Sequence, residues 1–213
     1  MHPPAHASKT KLLNAALQVI RTKGYAATTV DDICNAAEVT KGSFFHHFKG
    51  KEELAVEATR HWTDVTGGVF AAAPYQAIAD PRERVLASID FRRDILQGNL
   101  PDFTCLLGTM VQETFETHPA IRDACWRGID AHAQVVANDI ALARALYAPD
   151  ADWTAQSLAH YTQAVLQGAF ILAKAQGSAQ IAVQCVEHLH RYVDLLLGMR
   201  APGMRQASRP RRN

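Results

Sequence analysis

Cysteine is scarce and scattered in this chain: Cys34, Cys105, Cys125 and Cys185 stand far apart, with no C-x-x-C pair. That spacing excludes a zinc framework and a disulfide scaffold and leaves reduced thiols as the default. Uncharged apolar runs approaching the roughly 20 residues needed to cross a bilayer are missing, and Met1 to Ser8 has no apolar signal-peptide core. A cytoplasmic protein without a membrane partner is therefore expected. The chain also lacks a Gly-rich phosphate loop, a G-x-S-x-G elbow and an H-E-x-x-H pair. Acid and base pairs can still assemble from distant helices, but no enzyme is expected. His188 and His190 flank Leu189, and an H-x-H on a helix sends its rings to different faces, so neither a metal nor a cofactor is expected.

Strand-type alternation is missing as well, while helical periodicity runs through every long segment, so the fold class is all-α. A first helix is predicted from about Ser8 to Lys23, with Leu13, Leu17 and Ile20 inward and Gly24 as terminator. From about Lys51 to Ala73, Leu54, Ala58, Trp62, Val65 and Val69 recur at three- and four-residue steps, which suits a helix connecting two domains. Pro74, Asp80 and Pro81 break the chain before a helix holding Val85, Leu86, Ile89 and Leu96 that stops near Gly98. Asn99 to Asp102 reads as a second break. A short apolar helix should follow with Phe103, Leu106, Leu107, Met110 and Phe115, then a long one opened by His118 and Pro119. Two more helices are expected over about Trp153 to Gln176 and Ser178 to Met199.

The most informative stretch runs from Thr29 to Leu54. Val30, Ile33 and Ala37 recur at helical spacing, Val39 fills a bend, and Thr40 can cap a second, very short helix. Phe44 and Phe48 would anchor that helix, leaving Lys41, Gly42, Ser43, His46 and His47 outward. Apolar residues that fix an angle and small or cationic ones that meet base edges and phosphates are what a recognition helix requires.

Thr29, Ile33, Ala37, Val39, Thr40, Lys41, Gly42, Ser43, Phe44, Phe45, His47, Phe48, Lys51, Glu52 and Leu54 together resemble the helix-turn-helix of the TetR family of bacterial repressors. Two positions depart from its pattern. Glu38 replaces the usual turn glycine at a bend that favours positive φ. Phe45 replaces the usual tyrosine, so the phenolic hydroxyl that commonly meets a phosphate is missing. The resemblance implies a three-helix DNA-binding domain over 1–50 and a larger helical effector-binding and dimerisation domain over 51–199, about nine helices in total. It implies Thr29, Thr40, Lys41, Gly42, Ser43, Phe45, His46, His47 and Lys51 as the DNA-binding set, with Lys51 acting mainly on phosphate. Glu38 and Phe45 favour the alternative, a helical interaction or ligand-binding protein that has lost specific DNA binding.

Charge is unevenly spread. Residues 1–60 carry eight Lys or Arg against six Asp or Glu, residues 61–199 nine against fifteen, and residues 200–213 five Arg and no acid. A basic end beside an acidic body suits a protein that presents one face to double-stranded operator DNA. The last segment has too little apolar area to fold, so a disordered basic tail is expected over 200–213.

The last two helices bear stripes, Tyr161, Ala164, Val165, Gly168, Ile171, Leu172 and Ala175 on one and Val186, Leu189, Val193, Leu196 and Leu197 on the other. They either pack within one subunit or pair two copies. The family resemblance favours a homodimer whose two-fold axis matches a palindromic operator. Around Cys105 and Lys174 the sequence resembles the branch of the family that senses reactive electrophiles, which implies a thiolate sensor assisted by a nearby ammonium. An unpaired cysteine near a helix start among leucines is most often an inert small hydrophobe, which is the competing reading. For a noncovalent small-molecule effector, Phe103, Met110, Trp126, His132, Tyr161 and Phe170 are the candidate cavity residues, each of which can instead be core.

Overall fold

The computed structural model describes residues 5–198, and the described residues form ten α-helices and one short 3-10 turn: α1 Ala5–Lys23, α2 Val30–Ala37, α3 Lys41–His47, α4 Lys51–Ala71, the turn Pro74–Ala77, α5 Pro81–Asp94, α6 Leu100–Phe103, α7 Leu106–Thr114, α8 Pro119–Tyr147, α9 Ala155–Gln176 and α10 Gln180–Gly198. The expected tail, like Met199, lies outside the described residues. The expected break at Asn99–Asp102 is itself helical at its end. The Asn99 N–H donates to Asp102 Oδ2 at 2.8 Å, which caps the one-turn α6. The apolar helix expected from Phe103 is interrupted instead, because Thr104 and Cys105 are extended and α7 opens only at Leu106.

Two apolar cores hold these helices. The first gathers Leu12, Ala16 and Ile20 of α1, Ile33 of α2, Phe44 of α3 and Leu54 and Ala58 of α4. It continues without interruption into Leu106 and Met110 of α7 and Ile121 and Cys125 of α8. The second joins Val85 and Ile89 of α5, Ala137 and Ile140 of α8, Leu166 and Ala169 of α9, and Val186, Leu189 and Val193 of α10. The long α8 belongs to both, and its alanines let α9 approach closely.

The end of α1 is fixed by one glycine. Gly24 has φ +87°, and a Cβ there would lie 2.3 Å from Glu113 Oε1 of α7. The Glu113 carboxylate occupies that space because its other oxygen accepts from the Ala26 N–H at 2.7 Å. The sharp turn after α1 is thereby tied to the body of the protein.

Candidate nucleic-acid interface and body cavity

The turn between α2 and α3 is built by three local devices. Thr29 caps α2: its hydroxyl accepts from Asp32 N–H at 3.1 Å while Asp32 Oδ2 accepts from the Thr29 N–H at 2.7 Å. Lys23 reaches the same carboxylate at 2.6 Å. Hydrogen bonds from Lys23 and Thr29 hold this carboxyl well below the usual range. Glu38 then takes φ 54° and ψ 45°, so a non-glycine residue adopts the left-handed bend. Its side chain is exposed and costs only the backbone strain of about 1 kcal/mol that such a residue carries there. Thr40 closes the turn by accepting from the Ser43 N–H at 3.2 Å.

Phe44 and Phe48 are buried in the first core, as the anchoring role requires. They leave Lys41, Gly42, Phe45 and His46 on the exposed side of α3, with Phe45 57% exposed. Lys41 Nζ pairs with Asp31 Oδ1 at 2.7 Å. An exposed pair of this kind is worth little, so a phosphate can displace it at small cost. A Cβ on Gly42 would meet only Thr40 Oγ1 at an ordinary 3.7 Å, so nothing inside the protein requires glycine there.

Two members of the expected DNA-binding set face elsewhere. His47 Nε2 lies 2.7 Å from Ser8 Oγ of α1, and burial, followed by His46 and Lys9, lowers its pKa. Lys51 is turned inward. Its ammonium donates to the carbonyl oxygens of Tyr25 at 3.0 Å and Thr28 at 2.9 Å and lies 4.3 Å from the Tyr25 ring centre. Burial lowers its pKa. Lys51 therefore does not stand on the outward face expected of a phosphate contact: the carbonyls after α1 lie within reach of its stem and accept two of its three N–H groups.

Behind the reader, a cavity of about 500 Å³ opens between α1, α4, α5, α8 and α9. Leu17 and Arg21 of α1 and Trp62, Val65, Thr66, Val69 and Phe70 of α4 form one wall. Arg92 and Leu96, Phe103 and Cys105, His132 and Val135, and Gln163, Leu166 and Phe170 form the rest. Its volume and apolar lining with a few polar groups are those of a small-molecule site.

Of the eight residues expected at an effector site, Phe103, Cys105, His132 and Phe170 line this cavity. The other four do not. Met110 is fully buried in the first core. Trp126 is 55% exposed and packs on His160, and Tyr161 is 44% exposed and packs on Tyr192, because each sits one residue off the inward stripe of its helix. Lys174 donates to Thr109 Oγ1 at 2.7 Å, and its pKa is lowered by burial.

Sequence reasoning does not single out Arg92 and Gln163 of the wall. Arg92 donates from Nη2 to His132 Nε2, and its guanidinium carbon lies 4.4 Å from the Phe70 ring centre. Burial pulls Arg92 down to about 10. Burial and then the adjacent Arg92 push His132 down to about 3, so its imidazole is neutral at pH 7. Arg21, by contrast, is spent: Nε donates to the Leu17 carbonyl at 2.9 Å and Nη1 to that of Asp102 at 3.3 Å, with Trp62 stacked 4.8 Å away.

The stripes on the last two helices separate. On α9, Tyr161, Ala164, Ile171, Leu172 and Ala175 are exposed, and a Cβ on Gly168 would meet nothing within 4 Å. On α10, Val186, Leu189, Val193 and Leu197 are buried inside the subunit, against α5 and α9. That stripe is therefore core, and the exposed apolar residues of α10 are Tyr192 and Leu195. Among the described residues, no helix is long and apolar enough to cross a membrane and no cluster of three metal-ligating side chains occurs.

Comparison with known proteins places this architecture. Residues 12–58 match bacterial regulatory proteins of the tetR family, and residues 81–188, about half of the chain, match the C-terminal domain of LmrA/YxaF-like transcriptional regulators. The chain is 30% identical over 108 residues to the transcriptional regulator AcuR of Cereibacter sphaeroides, covering 46% of this chain and 49% of AcuR. It is 31% identical over 135 residues to the regulator CymR of Pseudomonas putida, covering 59% of this chain and 60% of CymR. The chain thus spans about half to three-fifths of the length of these two curated relatives. A TetR regulator from Chloroflexus aurantiacus superposes with a TM-score of 0.77 at 23% identity, over 89% of this chain and 95% of that one. The reduced form of NemR from Escherichia coli gives 0.73 at 19%, over 85% and 94%. With a reader capped and bent as these residues dictate and a helical body behind it, the chain belongs to the TetR family of transcriptional regulators, proteins that bind DNA and are not enzymes.

Proposed function

We propose that this regulator is a repressor that binds a palindromic operator as a homodimer and leaves it when a small molecule fills the body cavity. The observation that carries this reading is the composition of the cavity wall: Leu17 and Arg21 belong to α1, and Trp62, Val65, Thr66, Val69 and Phe70 to α4. A ligand there touches α1, on which α2 and α3 pack, and α4, which follows α3 in the chain and also packs on α1. If it prefers one arrangement of α4 over another, it shifts the separation of the two recognition helices, and the dimer no longer fits successive major grooves.

Lys41, Gly42, Ser43, Phe45 and His46 form the proposed reading face, with Thr29 and Thr40 as its caps. Lys51 and His47 act by position, the first pinning α4 to the loop after α1 and the second resting on α1. The dimer face is proposed on α9, through Tyr161, Ala164, Gly168, Ile171 and Leu172, with Tyr192 and Leu195 of α10. We propose the segment up to residue 50 as the reader and residues 51–198 as the sensing and pairing part.

The test is salt-dependent binding to the promoter DNA beside the protein's own gene. A repressor gives a specific site whose affinity falls linearly with salt on logarithmic axes, and an interaction module or an enzyme gives none. Lys51→Met sharpens the experiment. As a pin, it should lower stability by about 1–3 kcal/mol and weaken operator binding while the salt slope stays that of the natural protein. As a phosphate contact, it would instead lower the slope by about one.

A second reading of the sensing step rests on Cys105. It lines the cavity, whereas Cys34 and Cys125 are buried and their thiols are pushed up by burial, Cys125 to about 12. Cys105 should then be alkylated by a maleimide at neutral pH at least about tenfold faster than either. Cys105→Ser should bind the operator yet fail to release it on electrophile treatment. Normal release by that variant would make the cysteine part of the wall only.

A further inference from the structure

Arg92 sits on the last turn of α5 and lines the cavity, and among the described residues no carboxylate lies within ion-pair distance of it. Every other arginine with a place in or near this wall is committed: Arg21 to the carbonyls of Leu17 and Asp102, Arg93 to Asp90 and Asp94, Arg84 to Asp139. Arg92 has a hydrogen bond to the neutral His132, the face of Phe70, and Tyr75 and Cys105 nearby, none of them a carboxylate. Of its three nitrogens, Nη2 alone makes a hydrogen bond among the described residues. The C-terminal end of α5 offers a partial negative charge, which offsets part of the cost of placing a cation here. It does not replace a counter-ion for a half-buried guanidinium.

A second group in the same wall is also unanswered. Gln163 is only 8% exposed, and its Nε2 is a buried donor with no hydrogen-bond partner among the described residues. The one carboxylate of the wall, Asp102, accepts from the Asn99 N–H and neighbours Arg21. The remaining lining is mostly apolar, with Leu17, Val69, Ile95, Leu96, Leu166 and Phe170 beside the neutral polar side chains of Thr63, Thr66 and Gln167. Val65, Val69, Ile95 and Val135 are exposed as well as lining, so they form an apolar rim through which a ligand can enter.

We propose that the ligand of this cavity is a hydrophobic monocarboxylate, its carboxylate paired with the guanidinium of Arg92, its hydrocarbon part held by the apolar wall, and Gln163 Nε2 serving as a second donor. One uncommitted guanidinium matches one negative charge, and its planar fork matches the two oxygens of a carboxylate. A phosphate ester with a second charge would leave that charge uncompensated among leucines and valines. The assignment rests on the reading of this cavity as the effector site, whose ligand class it narrows.

The experiment measures binding of matched pairs to the full-length protein by titration calorimetry: octanoate against octanamide, and 3-phenylpropanoate against 3-phenylpropanamide. The members of each pair share size and shape and differ in charge. The carboxylates should bind roughly 10- to 100-fold more tightly than the amides and raise the melting temperature, as expected of a charge-assisted pair. Arg92→Gln should abolish that preference, and Arg92→Lys should restore part of it. Should Arg92→Gln not fold, the pairs measured on the natural protein still decide. Amides that bind as tightly as their acids overturn the assignment, and so does the failure of both series to bind. Operator release is scored separately: carboxylates that bind with the expected preference but leave the operator complex intact would sink the effector reading and leave the ligand class standing.

Discussion

Gly42→Glu is expected to make the protein more stable and a far poorer DNA binder. The position lies in the first turn of α3, is exposed, and has room for a Cβ. Replacing a helical glycine gains up to about 1 kcal/mol of propensity, and an acid near a helix N-terminus gains about 0.3–1 kcal/mol more from the backbone dipole. The same carboxylate on the proposed reading face meets phosphates and base edges with like charge, which should weaken operator binding about 100-fold or more. Chemical denaturation and a fluorescence-anisotropy titration with operator DNA read the two effects. Opposite signs are the signature; a variant that binds as the natural protein does would place the reading face elsewhere.

Phe44→Ala should act from the other side of the same helix. Phe44 is fully buried, in ring contact with Phe45 and Phe48. Its truncation should cost about 3–5 kcal/mol, a large share of the roughly 5–15 kcal/mol that holds a typical domain. Phe45→Ala is the control: with a side chain 57% exposed, it should change stability by no more than about 0.5 kcal/mol while still weakening the operator complex. The midpoint of a urea titration separates the two. Equal losses for both residues would mean that α3 is rotated from the orientation described.

The reader was legible in the sequence because its geometry is set by neighbours in the chain. Thr29 and Thr40 cap within three residues of themselves, and the Glu38 bend and the Phe44 and Phe48 anchors follow from local spacing. Lys51 was not legible, since its partners, the Tyr25 and Thr28 carbonyls, lie more than twenty residues away. The cavity shows the same division. Phe103, His132 and Phe170 stand out by residue type and Cys105 by the family resemblance, whereas nothing in the sequence singles out Arg92 of α5 or Gln163 of α9. Only the packing of those helices turns them inward. Trp126 and Tyr161 went the other way: large aromatic rings suggested an interior, whereas a step of one residue along a helix turns a side chain about 100° from its neighbour.

The first core runs unbroken from α1, α2 and α3 through Leu106, Met110 and Ile121, and Glu113 closes the turn after Gly24 from the α7 side. The reading head is therefore not a detachable module. A head transplanted from a relative would arrive with side chains shaped for another protein's α7 and α8, and with no assurance of a glycine where Glu113 needs room. On the proposed reading face, Lys41, Gly42, Phe45 and His46 on the outer side of α3 can be exchanged to seek a new operator without disturbing the seam with α7 and α8.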